Sequence, residues 1–215
     1  MEEETRVLIP DEKEEVKTLT PEEKKERKKQ EREKNIKSAL YFTMYLLGIF
    51  LAAYLIINYV AQRTIVIGDS MNETLHDEDN LIVDKLTYRF RDPKRFEIIV
   101  FPYEQEENTL YIKRIIGLPN ETVYIDESGN IYINDVLLVE NYGKETIISP
   151  GLAANPITLG PDEYFVLGDN RNCSRDSRYE DVGLISFDKI EGRAIFRIFP
   201  FNKFGRIKNG NAEED

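Results

Sequence analysis

The stretch GDSMNETL, Gly68 to Leu75, follows a β-branched run, Thr64-Ile65-Val66-Ile67, and reads as a tight turn presenting a serine, Ser70. A serine hydroxyl is a weak nucleophile until a neighbouring group takes its proton. Histidine is the usual base, and the chain has one, His76, six residues downstream in the acidic loop LHDEDN. A base must come within about 2.6–3.2 Å of the hydroxyl oxygen. His76 could do so only if the chain doubled back, so it reads as an exposed loop residue. The same argument sets aside a pair of Cys173 with His76, and nothing around Cys173 suggests a lowered thiol pKa.

A second base is available in LYIKRIIGLP, which places Lys113 inside an apolar strand. On a strand, Tyr111, Lys113 and Ile115 share one face and Ile112, Arg114 and Ile116 the other. One of the two adjacent cations is expected to face solvent and the other to face inward. An inward lysine without a carboxylate partner loses its proton, its pKa falling several units from about 10.4. The neutral amine would be a competent base. Spacing alone favours the plainer role for Lys113, a surface or salt-bridged strand lysine. A third stretch, LGDNRNCSRDSR, Leu167 to Arg178, is a long polar loop after a strand. It could be turn chemistry alone, but Asp176 and Arg178 are spaced to form an ion pair that would stiffen it.

The elements that must position these residues follow from patterning. Residues 1–20 are acidic and lack hydrophobic periodicity, which predicts disorder. Pro21 to Ser38 is charged throughout, and reads either as a solvated helix or as a disordered polyampholyte. ALYFTMYLLGIFLAAYLIINYVA, residues 39–61, carries no charge for 23 residues. At about 1.5 Å per residue it is long enough to cross a hydrocarbon core of about 30 Å. A cleaved signal peptide would have a shorter apolar run nearer the N-terminus. Eight Lys and Arg precede the span between Lys24 and Lys37, against Arg63 just after it. That asymmetry predicts a cytoplasmic N-terminus and an extracytoplasmic domain over residues 62–215.

The exported part reads as mainly β. RFEIIVF, LYIKRII, ETVYID, NIYINDVLL, EYFVLG and AIFRIF are short Ile/Val/Tyr/Phe-rich runs separated by turn signals, and VYIDESGNIYIND reads as a hairpin. No 12-residue helical pattern follows Arg63. The expected fold is therefore antiparallel β-sheet preceded by one transmembrane helix. The net charge of −11 argues against nucleic-acid binding. One Cys and one His exclude an internal disulfide and nearly exclude a zinc site, so neither a metal nor a cofactor is expected.

GDSMNETL, YIKRIIGLP and GDNRNCSRDSR, in that order behind a membrane anchor, together resemble the bacterial type I signal peptidases, over about Ala39 to Pro200. The third motif is the most specific: Gly168-Asp169-Asn170-Arg171, then Ser174, then Asp176-Ser177-Arg178. The resemblance implies a β-fold endopeptidase that removes signal peptides from exported preproteins, with Ser70 as nucleophile and Lys113 as general base. It implies that the Ser174 hydroxyl orients the Lys113 amine and that Asp176 and Arg178 brace the loop. Gly68 occupies a position where some members carry a serine that completes the oxyanion hole. The hole would then rest on the Ser70 N–H. Val66, Met71, Leu75 and Ile112 would line shallow pockets that admit only small residues. The partners implied are signal peptides and the lipid bilayer.

The chain departs from the family pattern at Glu73, commonly proline, and at Phe96-Glu97 and Asn120-Glu121, both usually Gly-Asp. Two other readings share features with this one. A Ser/Lys autoprotease of the repressor-cleaving kind would lack the span and carry a DNA-binding module. A membrane-anchored paralogue that binds exported peptides without cutting them would lack only a working dyad.

Overall fold

The computed structural model describes residues 20–143 and 145–209. The first 19 residues, half of the expected tail, lie outside the described residues. Helix α1 runs from Pro21 to Tyr59 without a break. Pro21 opens it, where a missing N–H is harmless, and the Lys24 N–H donates to the Thr20 carbonyl at 3.1 Å. The charged stretch is thus helical from Pro21 onward. The helix ends two residues before the end of the uncharged run, because Ala61 already pairs in a sheet. From Ile36 to Tyr59 its large apolar side chains are exposed. It is the one helix among the described residues long and apolar enough to cross a membrane.

The remainder is antiparallel β. The strands are β1 (Ala61–Ile65), β2 (Asn80–Asp84), β3 (Ile98–Pro102), β4 (Leu110–Gly117), β5 (Thr122–Ile125), β6 (Ile131–Ile133), β7 (Val136–Leu137), β8 (Ile157–Thr158), β9 (Glu163–Leu167), β10 (Ile185–Ser186), β11 (Gly192–Phe199) and β12 (Gly205–Arg206). The larger sheet has the order β1-β2-β11-β3-β4-β9-β10, with β12 on β11, and the smaller one β7-β6-β5-β8. Between strands the helical segments assigned among the described residues are 3-10 helices of three or four residues. The expected hairpin is β5–β6, with Val123 opposite Ile133 and Ile125 opposite Ile131. NIYINDVLL, read as a single run, is in fact two strands. Asn134 and Asp135, at φ +50° and +66°, turn β6 back onto β7, as a two-residue type I′ hairpin requires.

Apolar residues on both faces of the larger sheet build the core. On one face Val66, Met71, Leu75 and Leu81 pack with Ile98, Val100 and Ile112. On the other Ile99, Phe101 and Ile115 pack with Tyr164 and Val166. A third cluster joins the two sheets through Ile116, Val123, Ile133, Tyr142 and Phe165.

This double cover overturns the expectation for the adjacent cations of β4. Lys113 is 3% exposed and Arg114 1%, so neither faces solvent. Arg114 is tolerated inside because Asp169 receives its Nε at 2.8 Å and its second prong at 2.6 Å. The Tyr142 ring also lies under it, 4.1 Å from Cζ to the ring centre.

Two of the motif departures keep the backbone geometry that a glycine would supply. Phe96 and Asn120 stand at φ +69° and +64°. The Phe96 ring is buried edge-on against Tyr142 at 5.2 Å, which offsets the strain of that conformation. The acids that follow are longer by one methylene and fully engaged. Glu97 accepts from Tyr88, the Lys94 N–H, Arg91 and Arg193. Glu121 accepts from Arg95 and the Leu118 N–H.

Candidate active site

β1 is an end strand, paired only with β2. Beyond it the chain stays pinned, since the Val66 N–H donates to the Asp79 carbonyl at 2.9 Å. Gly68 then turns at φ +89°, a left-handed conformation suited to glycine, and its N–H is taken by Asp77 at 2.8 Å. Ser70 follows. A single helical turn, closed by the Leu75 N–H on the Met71 carbonyl at 2.8 Å, fixes its C-terminal side. The loop after β9 holds it from across: the Asn170 N–H donates to the Ser70 carbonyl at 3.1 Å and the Asn170 side chain to the Asp69 carbonyl at 3.0 Å. Among the described residues the Ser70 N–H makes no hydrogen bond.

Lys113 reaches Ser70 from β4, with Nζ 2.8 Å from the hydroxyl oxygen and 3.0 Å from the Ile112 carbonyl. Burial lowers its pKa to about 8, against the opposing pull of the Asp176 and Asp169 carboxylates. A large share of the amine is therefore neutral at mildly alkaline pH, within hydrogen-bond reach of the Ser70 oxygen.

Asp176 and Arg178 form a buried two-pronged ion pair at 2.8 and 2.9 Å. Asp176 also accepts the Gly168 N–H at 3.1 Å, and Arg178 reaches the Ser149 carbonyl at 3.2 Å. The loop is braced as its spacing suggested. The Ser174 hydroxyl is sealed from solvent and has no hydrogen-bond partner among the described residues. It lies against Gly168, where a Cβ would stand 2.2 Å from the Ser174 oxygen and 2.5 Å from the Ser70 carbonyl oxygen.

An open cleft of about 480 Å³ runs away from the pair between residues 64–71 and residues 108–113, with Cys173 and Arg175 on its wall. Val66, Met71 and Ile112 line it; Leu75 is fully buried behind them. His76 is not on the lining, and its ring nitrogen lies 3.3 Å from Lys203 Nζ.

Sequence reasoning missed the clamp that ties the three motifs together. Asp169 accepts from Arg114 on β4 and, at 2.5 Å, from the Thr74 hydroxyl of the nucleophile turn. The signal was present, since each motif supplies one partner, but only the fold shows which polar residues meet.

The antiparallel β unit thus brings a serine hydroxyl and a buried lysine amine together in one cleft, an arrangement able to support serine-nucleophile chemistry. Comparison with known proteins narrows the class. Residues 36–199 match the family model described as signal peptidase, peptidase S26. A probable signal peptidase I-2 of Synechocystis sp. is 38% identical over 161 residues, covering 73% of this chain and 71% of that protein. A signal peptidase I of Bacillus amyloliquefaciens is 35% identical over 189 residues, covering 84% of this chain and all of the other. Among solved structures, a signal peptidase I from Enterococcus faecalis V583 is 35% identical, with a TM-score of 0.39 over 48% of this chain and 97% of that one. The chain belongs to the signal peptidase family, peptidase S26.

Proposed function

We propose that this chain is a membrane-anchored peptidase that removes N-terminal signal peptides from exported preproteins, with Ser70 as nucleophile and Lys113 as general base. The observation that carries the reading is the 2.8 Å approach of a buried, pKa-lowered amine to the serine hydroxyl. The neutral amine takes the Ser70 proton as the oxygen attacks the scissile carbonyl. The unengaged Ser70 N–H meets the developing oxyanion, a donor worth about 3–4 kcal/mol. Protonated Lys113 then passes its proton to the leaving amine, and a water deprotonated by the same lysine releases the acyl-enzyme. In this reading the Ser174 hydroxyl, which bonds neither the Lys113 amine nor any other described residue in the structure, turns to orient that amine during the cycle, while Asp176 and Arg178 hold the loop. Gly68 leaves the oxyanion site without a second side-chain donor.

Substrate binds as an added strand in the cleft. The outer edge of β1 and the part of β4 ahead of its β9 pairing, Leu110–Ile112, offer backbone groups. Val66, Met71 and Ile112 leave room only for small side chains at the first and third positions before the cut, with Leu75 as the floor beneath. Helix α1 crosses the bilayer, with its Lys/Arg-rich end cytoplasmic and residues 62–215 outside.

The test is incubation of the full chain, in detergent, with a preprotein, followed by mass spectrometry of the new N-terminus. A single cut after a small residue, lost in Ser70→Ala and in Lys113→Ala, is expected. An uncut preprotein with the wild-type chain overturns the reading.

A further inference from the structure

We infer that Arg175 makes this enzyme prefer an acidic side chain at an even-numbered position, the second or fourth, before the cut. The inference rests on the proposed function and on the cleft. Arg175 occupies a place that the family motif leaves open, between Ser174 and Asp176. It nevertheless lines the same cleft as Ser70 and Lys113. Its side chain is 56% exposed, unlike the buried Arg171 and Arg178 on either side.

The guanidinium is aimed. Asp181 accepts from its Nε, and Asp181 is itself held by the Tyr103 hydroxyl at 2.6 Å. Tyr103 stacks flat on Tyr111, with ring centres 4.3 Å apart and planes within 6°. The Tyr179 ring lies 5.2 Å beneath the Arg175 Cζ. Arg175 is therefore fixed on the Tyr111 side of β4.

Strand alternation then decides what it meets. Ile112 faces the Val66 and Met71 wall, and Tyr111 faces the opposite one. A substrate strand laid along β4 sends alternate side chains to the two walls. If the first and third positions enter the Val66–Met71–Ile112 wall, the second and fourth face Tyr111, Cys173 and Arg175. Besides Lys113, only Arg175 and Asp69 bring charged groups to the lining. Asp69 stands beside the nucleophile on the β1 side, so the positive field of the even-position wall comes from Arg175. Guanidinium stays charged at every working pH and can grip a carboxylate with two donors. Because the site is open to water, the effect is that of an exposed ion pair.

The experiment compares kcat/KM of the full chain on peptides with alanine at the first and third positions and Gln, Glu or Lys at the second or fourth. The Glu-to-Lys ratio is expected at about fivefold for one or both even positions at low salt. In Arg175→Ala it falls to near one, and in Arg175→Glu it inverts. Scoring each variant by this ratio divides out any loss of folded enzyme. A wild-type ratio near one at both positions, or a ratio that Arg175→Ala leaves intact, overturns the inference. A preference abolished by Asp69→Asn and untouched by Arg175→Ala overturns it as well. Failure of the wild-type chain to cut the Gln peptide overturns the proposed function itself, a result distinct from any of these.

Discussion

The Asn170 N–H donates to the Ser70 carbonyl at 3.1 Å, and Gly168, two residues earlier, lies so close to the same carbonyl that a Cβ would stand 2.5 Å from it. The loop after β9 and the turn that carries Ser70 are thus held at a spacing only glycine permits. Gly168→Ala must push either the Ser70 backbone or Ser174 aside, because neither contact is the far end of a flexible side chain. A displacement of about 1 Å at the reacting atoms costs about 100-fold in rate. The expected outcome is a kcat at least that much lower, with a folded protein by circular dichroism. Near-wild-type kcat would show that the two segments are free to separate.

The proposed dyad makes a definite pH dependence the expected outcome. Burial lowers the Lys113 pKa to about 8, and only the neutral amine can accept the Ser70 proton. kcat/KM is expected to climb with pH and level off above about 8. Lys113→Arg keeps the charge but cannot deprotonate, and should be inactive. His76→Ala should retain nearly full activity. A profile that levels near 6.5, the range of an unperturbed imidazole, combined with loss of activity in His76→Ala, would remove Lys113 from the role.

The same lysine has a thermodynamic signature. Its folded pKa lies below the unfolded value, so below about pH 8 the fold carries a buried cation that the unfolded chain would solvate. Between about 8 and 10.4 the unfolded state binds more protons, so stability rises with pH across that window. Lys113→Met removes the cost and nearly preserves volume. It is expected to stabilise the catalytic domain by up to about 3 kcal/mol at pH 6 and by little at pH 10.5. Urea unfolding at the two pH values measures it; equal effects at both would show that burial does not destabilise the ammonium.

How much of this was legible in the sequence depends on the range of the interaction. Strands β3, β4, β5, β6, β9 and β11 announce themselves as β-branched and aromatic runs, and the Asp176–Arg178 pair spans only two residues. β2 is missed, although it lies between β1 and β11, because NLIVD is short and sits in an acidic context. The fate of Arg114 was misread because alternation along one strand cannot tell whether the second face is covered. Its covers, Asp169 and Tyr142, are 55 and 28 residues away in the chain. Nothing in the local sequence places Cys173 and Arg175 at the cleft; the closure of the loop against β4 brings them there.

The Arg114–Asp169–Thr74 clamp is fully buried at its ionic pair. Breaking a buried pair leaves an uncompensated charge and costs about 3–5 kcal/mol. Asp169→Asn is expected to lower the unfolding midpoint sharply and to reduce activity as well, since Asp169 also anchors Thr74 four residues after the nucleophile. Thr74→Val, which leaves the ion pair in place, should cost about 1–2 kcal/mol. Equal losses in the two variants would mean the ion pair contributes nothing beyond the hydroxyl.

Glu73 offers the sharpest check on the backbone of the nucleophile turn. It stands exposed at φ +89°, a conformation costly for a residue with a Cβ, and its side chain buries no apolar surface to offset that cost. Glu73→Gly removes the clash and is expected to stabilise the domain by about 1 kcal/mol, with activity retained. Glu73→Pro, the residue common in the family, is the opposite case. Proline fixes φ near −65°, so the turn from Met71 to Leu75 would have to rebuild. Thermal unfolding and kcat should both fall in Glu73→Pro while they hold or rise in Glu73→Gly. If proline is tolerated as well as glycine, the turn adopts a negative φ in solution and the hydroxyl of Ser70 is delivered by a different local conformation.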